Sequence, residues 1–161
     1  MMKVPPITGV AEIVLNAQDL PKLRDFYQEM LGFQLLDESC HESEDDPAKT
    51  GAPTITFLVI ADAETPLGRN GHPQLLAIID YNRHAASKKN FEAVSKRTST
   101  LNHIAFEIPP ESYEDHIERL ELHGLNPLMT TFPNLSAKAI FFKDPEGNTI
   151  ELICHDASCL S

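Results

Sequence analysis

One pattern is written twice along this chain, and a chain that repeats itself at half its length builds two like modules. In the first copy AEIVL is followed by a helical stretch from Leu20 to Leu31, then Gly32 and FQLL. In the second, NHIAFEI is followed by Glu111 to His123, then Gly124 and LNPLM. Glu12 stands 20 residues before Gly32, and His103 stands 21 before Gly124. Overlaying the copies puts a carboxylate where the other has an imidazole, a metal-capable side chain in each.

Both helices carry start and stop signals. Asp19 is an N-cap candidate, Pro21 lies in the first turn, and Leu20, Leu23, Tyr27, Met30 and Leu31 form one apolar stripe that Gly32 ends. Pro110 and Glu111 open the second helix, Tyr113, Ile117 and Leu120 make its stripe, and Gly124 closes it. Three strand candidates follow each helix: Phe33 to Asp37, Thr54 to Ile60 and Gln74 to Asp80, then Leu128 to Phe132, Ala137 to Phe142 and Thr149 to Cys154. The expected fold class is α+β: two βαβββ modules, about 8–82 and about 100–156, joined by a linker over 83–99. They form a single domain, with a cupped mixed sheet and helices on its outer face.

Composition narrows the partners. A net charge of −11 and a pI near 4.9 repel phosphate, which argues against nucleic acid and anionic membrane and leaves a small-molecule substrate and other proteins as partners. Cys40, Cys154 and Cys159 make no CxxC pair, and no apolar leader follows Met1, so a reduced, cytoplasmic protein is expected. The longest apolar runs are strand-sized, far below the roughly 20 residues of a spanning helix. ESCHESEDDPAKTGAP reads as a solvated acidic insertion, and ADAETPLGRNGHP as a loop. Arg83, Lys88, Lys89, Lys96 and Arg97 read as a solvated linker, or else as an electrostatic lure for an anionic substrate. Open strand edges lead us to expect a homodimer.

Alternation along strands nominates the chemistry. Ile104, Phe106 and Ile108 suit the helix-packing face, which turns His103, Ala105 and Glu107 to the other side. On the last strand Ile150, Leu152 and Cys154 pack, leaving Glu151, Ile153 and His155 opposite. In the first copy the same logic selects Glu12, Val14 and Asn16, and, with Leu75, Ala77 and Ile79 packing, Gln74, Leu76 and Ile78. If the copies face each other about a pseudo-twofold axis, Glu12, Gln74, His103 and Glu151 converge on one metal ion. Such a mostly oxygen donor set suits Zn, Ni, Co, Mn or Mg better than a thiolate-loving ion. His72 competes with Gln74, and His155 is a candidate to orient Glu151. His41, His84, His116 and His123 read as surface residues, and Cys154 as core packing.

The stretches EIVLNAQDLPKLRDFYQEMLGF, LNHIAFEIP and FFKDPEGNTIELICHD resemble the vicinal oxygen chelate superfamily, from about Val10 to Asp156. That group holds glyoxalase I, methylmalonyl-CoA epimerase, extradiol dioxygenases, fosfomycin-resistance enzymes and bleomycin-binding proteins. The resemblance implies metal ligands at Glu12, Gln74, His103 and Glu151. Many members have His where this chain has Glu12, and that departure removes the two-His, one-carboxylate set of an Fe(II) dioxygenase unless His72 substitutes. The expected activity is therefore of lyase or isomerase type. The ion would take two neighbouring substrate oxygens and stabilise an enolate, with Glu151 or Glu12 as catalytic base. Two alternatives stand beside it: a bleomycin-resistance-type binding protein without catalysis, and an extradiol ring-cleaving dioxygenase.

Overall fold

The computed structural model describes residues 9–44, 46–85 and 101–156. In the first module the Asp19 carboxylate accepts from the Lys22 N–H at 3.1 Å, satisfying one of the donors a helix start leaves free. Helix α1 then runs Leu20–Leu31 and ends at Gly32, whose φ of 71° is left-handed. Leu20, Leu23, Tyr27 and Met30 are buried, as the stripe requires. Strand β1 (Glu12–Ala17) precedes the helix, and β2 (Gln34–Ser39), β3 (Ile55–Ala61) and β4 (Gln74–Asp80) follow it.

The second module repeats this. Strand β5 (Ile104–Glu107) leads to a short 3-10 turn at Pro110–Ser112, which continues into an α-helix, Tyr113–Leu122; then come β6 (Leu128–Phe132), β7 (Ala137–Lys143) and β8 (Thr149–His155). Tyr113 and Leu120 are buried, while Ile117 is only half-buried. Each module closes its own four-stranded mixed sheet, ordered β1-β4-β3-β2 and β5-β8-β7-β6. In both, the outer first strand pairs in parallel with the last strand, and the remaining pairs are antiparallel. The α+β class and the doubled βαβββ order are what the chain has. It divides into two compact units, residues 1–94 and 95–161.

Three expectations change. The loop after Asp62 contains a four-residue helix, α2 (Pro66–Arg69), because Thr65 Oγ1 accepts from the Gly68 N–H at 3.1 Å and Pro66 fits a first turn. The helix of the second module is accordingly α3. The acidic insertion is not simply solvated, since the Glu42 side chain is 2% exposed. Its carboxylate accepts from the Gly51 N–H at 2.8 Å, the Thr50 N–H at 2.9 Å, the Thr50 hydroxyl at 3.1 Å and Arg83 Nε at 2.9 Å. These donors, the Gly51 N–H foremost, hold its pKa at about 2 against the opposing effect of desolvation.

Arg83 is the third change. It is no free linker charge but a clamp, also reaching Asp80 Oδ2 at 3.4 Å and the Ala52 carbonyl at 2.7 Å. Lys88, Lys89, Lys96, Arg97 and Cys159 lie outside the described residues. Among the described residues no helix is long and apolar enough to cross a membrane.

Candidate functional site

In the second module the sheet register decides which side chains meet. Ile104 pairs with Ile150 and Ala105 with Glu151, while Phe141 pairs with Glu151 from the other side. Paired residues share a face, so Ala105, Glu151 and Phe141 stand together, with His103 one residue ahead of β5. Burial agrees: Ile104 and Phe106 are buried, Ala105 and Glu107 exposed. His103 Nε2 lies 3.0 Å from Glu151 Oε2, with the imidazole 38% and the carboxylate 7% exposed. The imidazole also meets Phe141 edge to face, with ring centroids 5.9 Å apart at 81°. The expected pairing of His103 with Glu151 is therefore present within one module.

Asn102, which lies before β5 and so outside its alternation, completes the arrangement. Its Oδ1 is 2.7 Å from His103 Nδ1. The imidazole and the carboxylate are close enough to share a hydrogen bond or to bind one cation together. A separation of about 3.0 Å is also what two adjacent ligands of an octahedral ion show when each metal bond is about 2.1 Å. The pair fits a divalent ion, and it buries a carboxylate that would otherwise be costly.

The first module does not repeat the pair. Glu12 is exposed at the start of β1 and pairs with Leu75. It therefore shares a face with Leu75, Ala77 and Ile79, whereas Gln74, Leu76 and Ile78 take the other. The expectation placed Gln74 on the face of Glu12, and the parallel register corrects it by one residue. Gln74 Nε2 donates to the Val10 carbonyl at 3.5 Å. His72, its competitor, has Nδ1 at 2.9 Å from the Pro73 carbonyl.

His155 ends β8 four residues beyond Glu151, about 13 Å along an extended strand, too far to orient it. Two histidines read as surface groups are half-buried. Burial first, then the neighbouring His41, lowers the pKa of His84, whose ring centroid is 5.3 Å from that of His41. Burial first, then Arg119, lowers that of His116. His41 and His123 are exposed, and Cys154 is buried as expected. Among the described residues, no group of three or more His, Cys, Asp or Glu side chains gathers as a metal site.

Solved structures share this architecture. A variant of the fosfomycin resistance protein FosX from Listeria monocytogenes, complexed with Mn(II) and dihydroxypropylphosphonic acid, is 21% identical, covers 96% of this chain and 98% of its own, and has a TM-score of 0.63. A lactoylglutathione lyase from Agrobacterium tumefaciens is 17% identical over 93% of this chain and 96% of its own, with a TM-score of 0.62. An integron cassette protein from V. cholerae is 18% identical over 96% and 100%, with a TM-score of 0.59. No curated protein matches the chain in sequence. The Glyoxalase/Bleomycin resistance protein/Dioxygenase superfamily model matches residues 9–152, so the chain belongs to that superfamily.

Proposed function

We propose that this protein is a metal-dependent enzyme of lyase or isomerase type acting on a small substrate with two neighbouring oxygens. The observation that carries the reading is the His103–Glu151 pair, two donors 3.0 Å apart with the carboxylate almost wholly buried. When bound, a divalent ion supplies Lewis-acid stabilisation of charge developing on substrate oxygen. Zn, Ni, Co, Mn and Mg suit an imidazole and carboxylate set. The Mn(II) complex of FosX supports an ion of this kind, and the lactoylglutathione lyase supports the reaction type.

His103 Nε2 and Glu151 Oε2 are the ligands in the proposal. The other carboxylate oxygen of Glu151, Oε1, accepts the proton from substrate carbon. The setting in this reading is the cytoplasm, with the chain as a homodimer.

The test is Glu151→Gln, assayed with metal content measured alongside, against 2-oxoaldehyde thiol adducts, acyl-CoA epimers, epoxides with a thiol, and catechols. The folded variant should lose turnover on whichever substrate the parent accepts. Full turnover by the variant removes the carboxylate base.

A second reading, small-molecule binding without catalysis, draws support from the apolar residues Ala105, Ala139, Phe141 and Ile153, which share the face of Glu151 with the exposed Glu107. It predicts ligand binding that survives a chelator and His103→Ala.

A further inference from the structure

The geometry points to Lys143 and Thr149 as a subsite that holds an anionic tail of the substrate, a carboxylate, beside the His103–Glu151 pair; for the reacting end of that substrate it rests on the function proposed above. Alternation puts Phe141 and Lys143 of β7 on one face, and the register pairs them with Glu151 and Thr149 of β8. Their neighbours Phe142 and Ile150 are buried on the other face. Thr149 precedes Ile150 as His103 precedes Ile104, and Ile104 pairs with Ile150. His103, Thr149 and Lys143 therefore stand in one row across the ends of β5, β8 and β7. The row of Ala105, Glu151 and Phe141 follows two residues on, about 7 Å along the strands.

Arg24, Lys49, Arg83 and Lys138 each face a carboxylate. Lys143 is exposed, and among the described residues its ammonium forms no ion pair; Nζ donates to Thr149 Oγ1 at 2.5 Å. An ammonium has three N–H donors, and a hydroxyl that accepts one of them keeps its own. Two N–H groups and one O–H are thus left for an oxyanion, and hydrogen bonds from a charged donor are the stronger kind. The rest of the face sets the direction. On the far side of the Glu151 row lie Ala139, Ile153 and the exposed Glu107, which repels an anion. Lys138, the other basic residue of these strands, pairs with Cys154 and so lies on the opposite face. In a chain of net charge −11, Lys143 marks the end of this face where a negative group is favoured. The substrate that fits carries two adjacent oxygens at one end and a carboxylate a few bonds away.

The experiment titrates the Mn(II)-loaded chain calorimetrically with 2-oxoglutarate and with its 5-methyl ester, which differ only in the charge of the tail, using the parent, Lys143→Met and Thr149→Val. The parent should bind the acid about 10-fold more tightly than the ester, the scale of a hydrogen bond to a charged group. Lys143→Met should bring the two affinities together by weakening the acid alone, and Thr149→Val should do so in part. Equal affinities in the parent, or an undiminished preference in Lys143→Met, overturns the inference. Failure of the parent to bind Mn(II) removes the metal reading instead, and NMR of the metal-free chain titrated with glutarate then decides the subsite. A saturable shift of the Thr149 amide signal that Lys143→Met abolishes upholds it, and a signal that does not move overturns it.

Discussion

The two modules share their strand order and their helix ends, yet they carry different chemistry at matched positions. In the second, His103 precedes Ile104, Ile104 pairs with Ile150, and Glu151 comes next. In the first, Glu12 precedes Ile13, Ile13 pairs with Leu76, and Ala77 comes next. Ala77 thus stands where Glu151 stands, and Glu12 where His103 stands. The second module holds an imidazole and a carboxylate 3.0 Å apart, the carboxylate buried. The first holds one exposed carboxylate beside a methyl group. The repetition of the fold says nothing about repetition of function, because the ladder is set by backbone pairing and apolar burial while the donors are individual side chains.

The sharpest way to break this asymmetry is to install the missing acid. Ala77 is 1% exposed, so Ala77→Glu buries a carboxylate beside Glu12, a like charge, where Glu151 has an imidazole. A buried charge without a partner costs about 3–5 kcal/mol, and denaturant unfolding should show a loss of that size. A loss below about 1 kcal/mol, the scale of an ordinary substitution, would mean that the first module is already built to accept charge there and that the two copies are equivalent.

The same comparison explains what the sequence could and could not disclose. In β5 and β8 apolar residues alternate with Ala105, Glu107 and Glu151, so the face of each residue is written in the pattern, which sets His103 on the side of Glu151. Strand β4 reads QLLAIID, with Leu75, Leu76, Ala77 and Ile78 all buried, and a strand covered on both faces has no readable period. The side that Gln74 takes is therefore not legible in the sequence, and the pairing of Glu12 with Leu75 settles it. Helix α1 was legible to the residue because Asp19, Pro21 and Gly32 mark its ends chemically. Asn102 was missed because alternation concerns residues within strands, and its contact is made just outside one. Glu42 was hidden in a different way: composition marks an acidic run as solvated, and no local pattern announces that Arg83, far along the chain, closes on it.

That loop supplies a second contrast. Residues 40–54 separate β2 from β3, whereas Pro133–Ser136 suffice between β6 and β7. Glu42 holds the longer connection, and its pKa is lowered from 4.5 to about 2 in the folded chain. A depressed folded-state pKa adds stability that is complete above 4.5 and is lost as the pH falls through about 2. Glu42→Gln should flatten the dependence of the melting temperature on pH across that window. An identical slope in both proteins would mean that Glu42 is not the group whose protonation loosens the first module. Hydrogen exchange at Thr50 and Gly51, whose N–H groups donate to it, would locate the effect in one module and leave the other unaltered.

The smallest expected effects fall where the modules are most alike. Gly32 and Gly124 end α1 and α3 with φ of 71° and 76°, and a Cβ added at either would meet nothing within 4 Å. With no clash to relieve, only the left-handed backbone opposes a side chain, at about 1 kcal/mol. Gly32→Ala and Gly124→Ala should therefore destabilise to the same small extent in denaturant unfolding. The ends do differ in one detail, the His123 ring, whose Nδ1 lies 2.8 Å from the Arg119 carbonyl in the last turn of α3. A clearly smaller loss at Gly124 would show that this contact lets α3 finish without its left-handed residue, and the helix ends would then have diverged as the donor positions have.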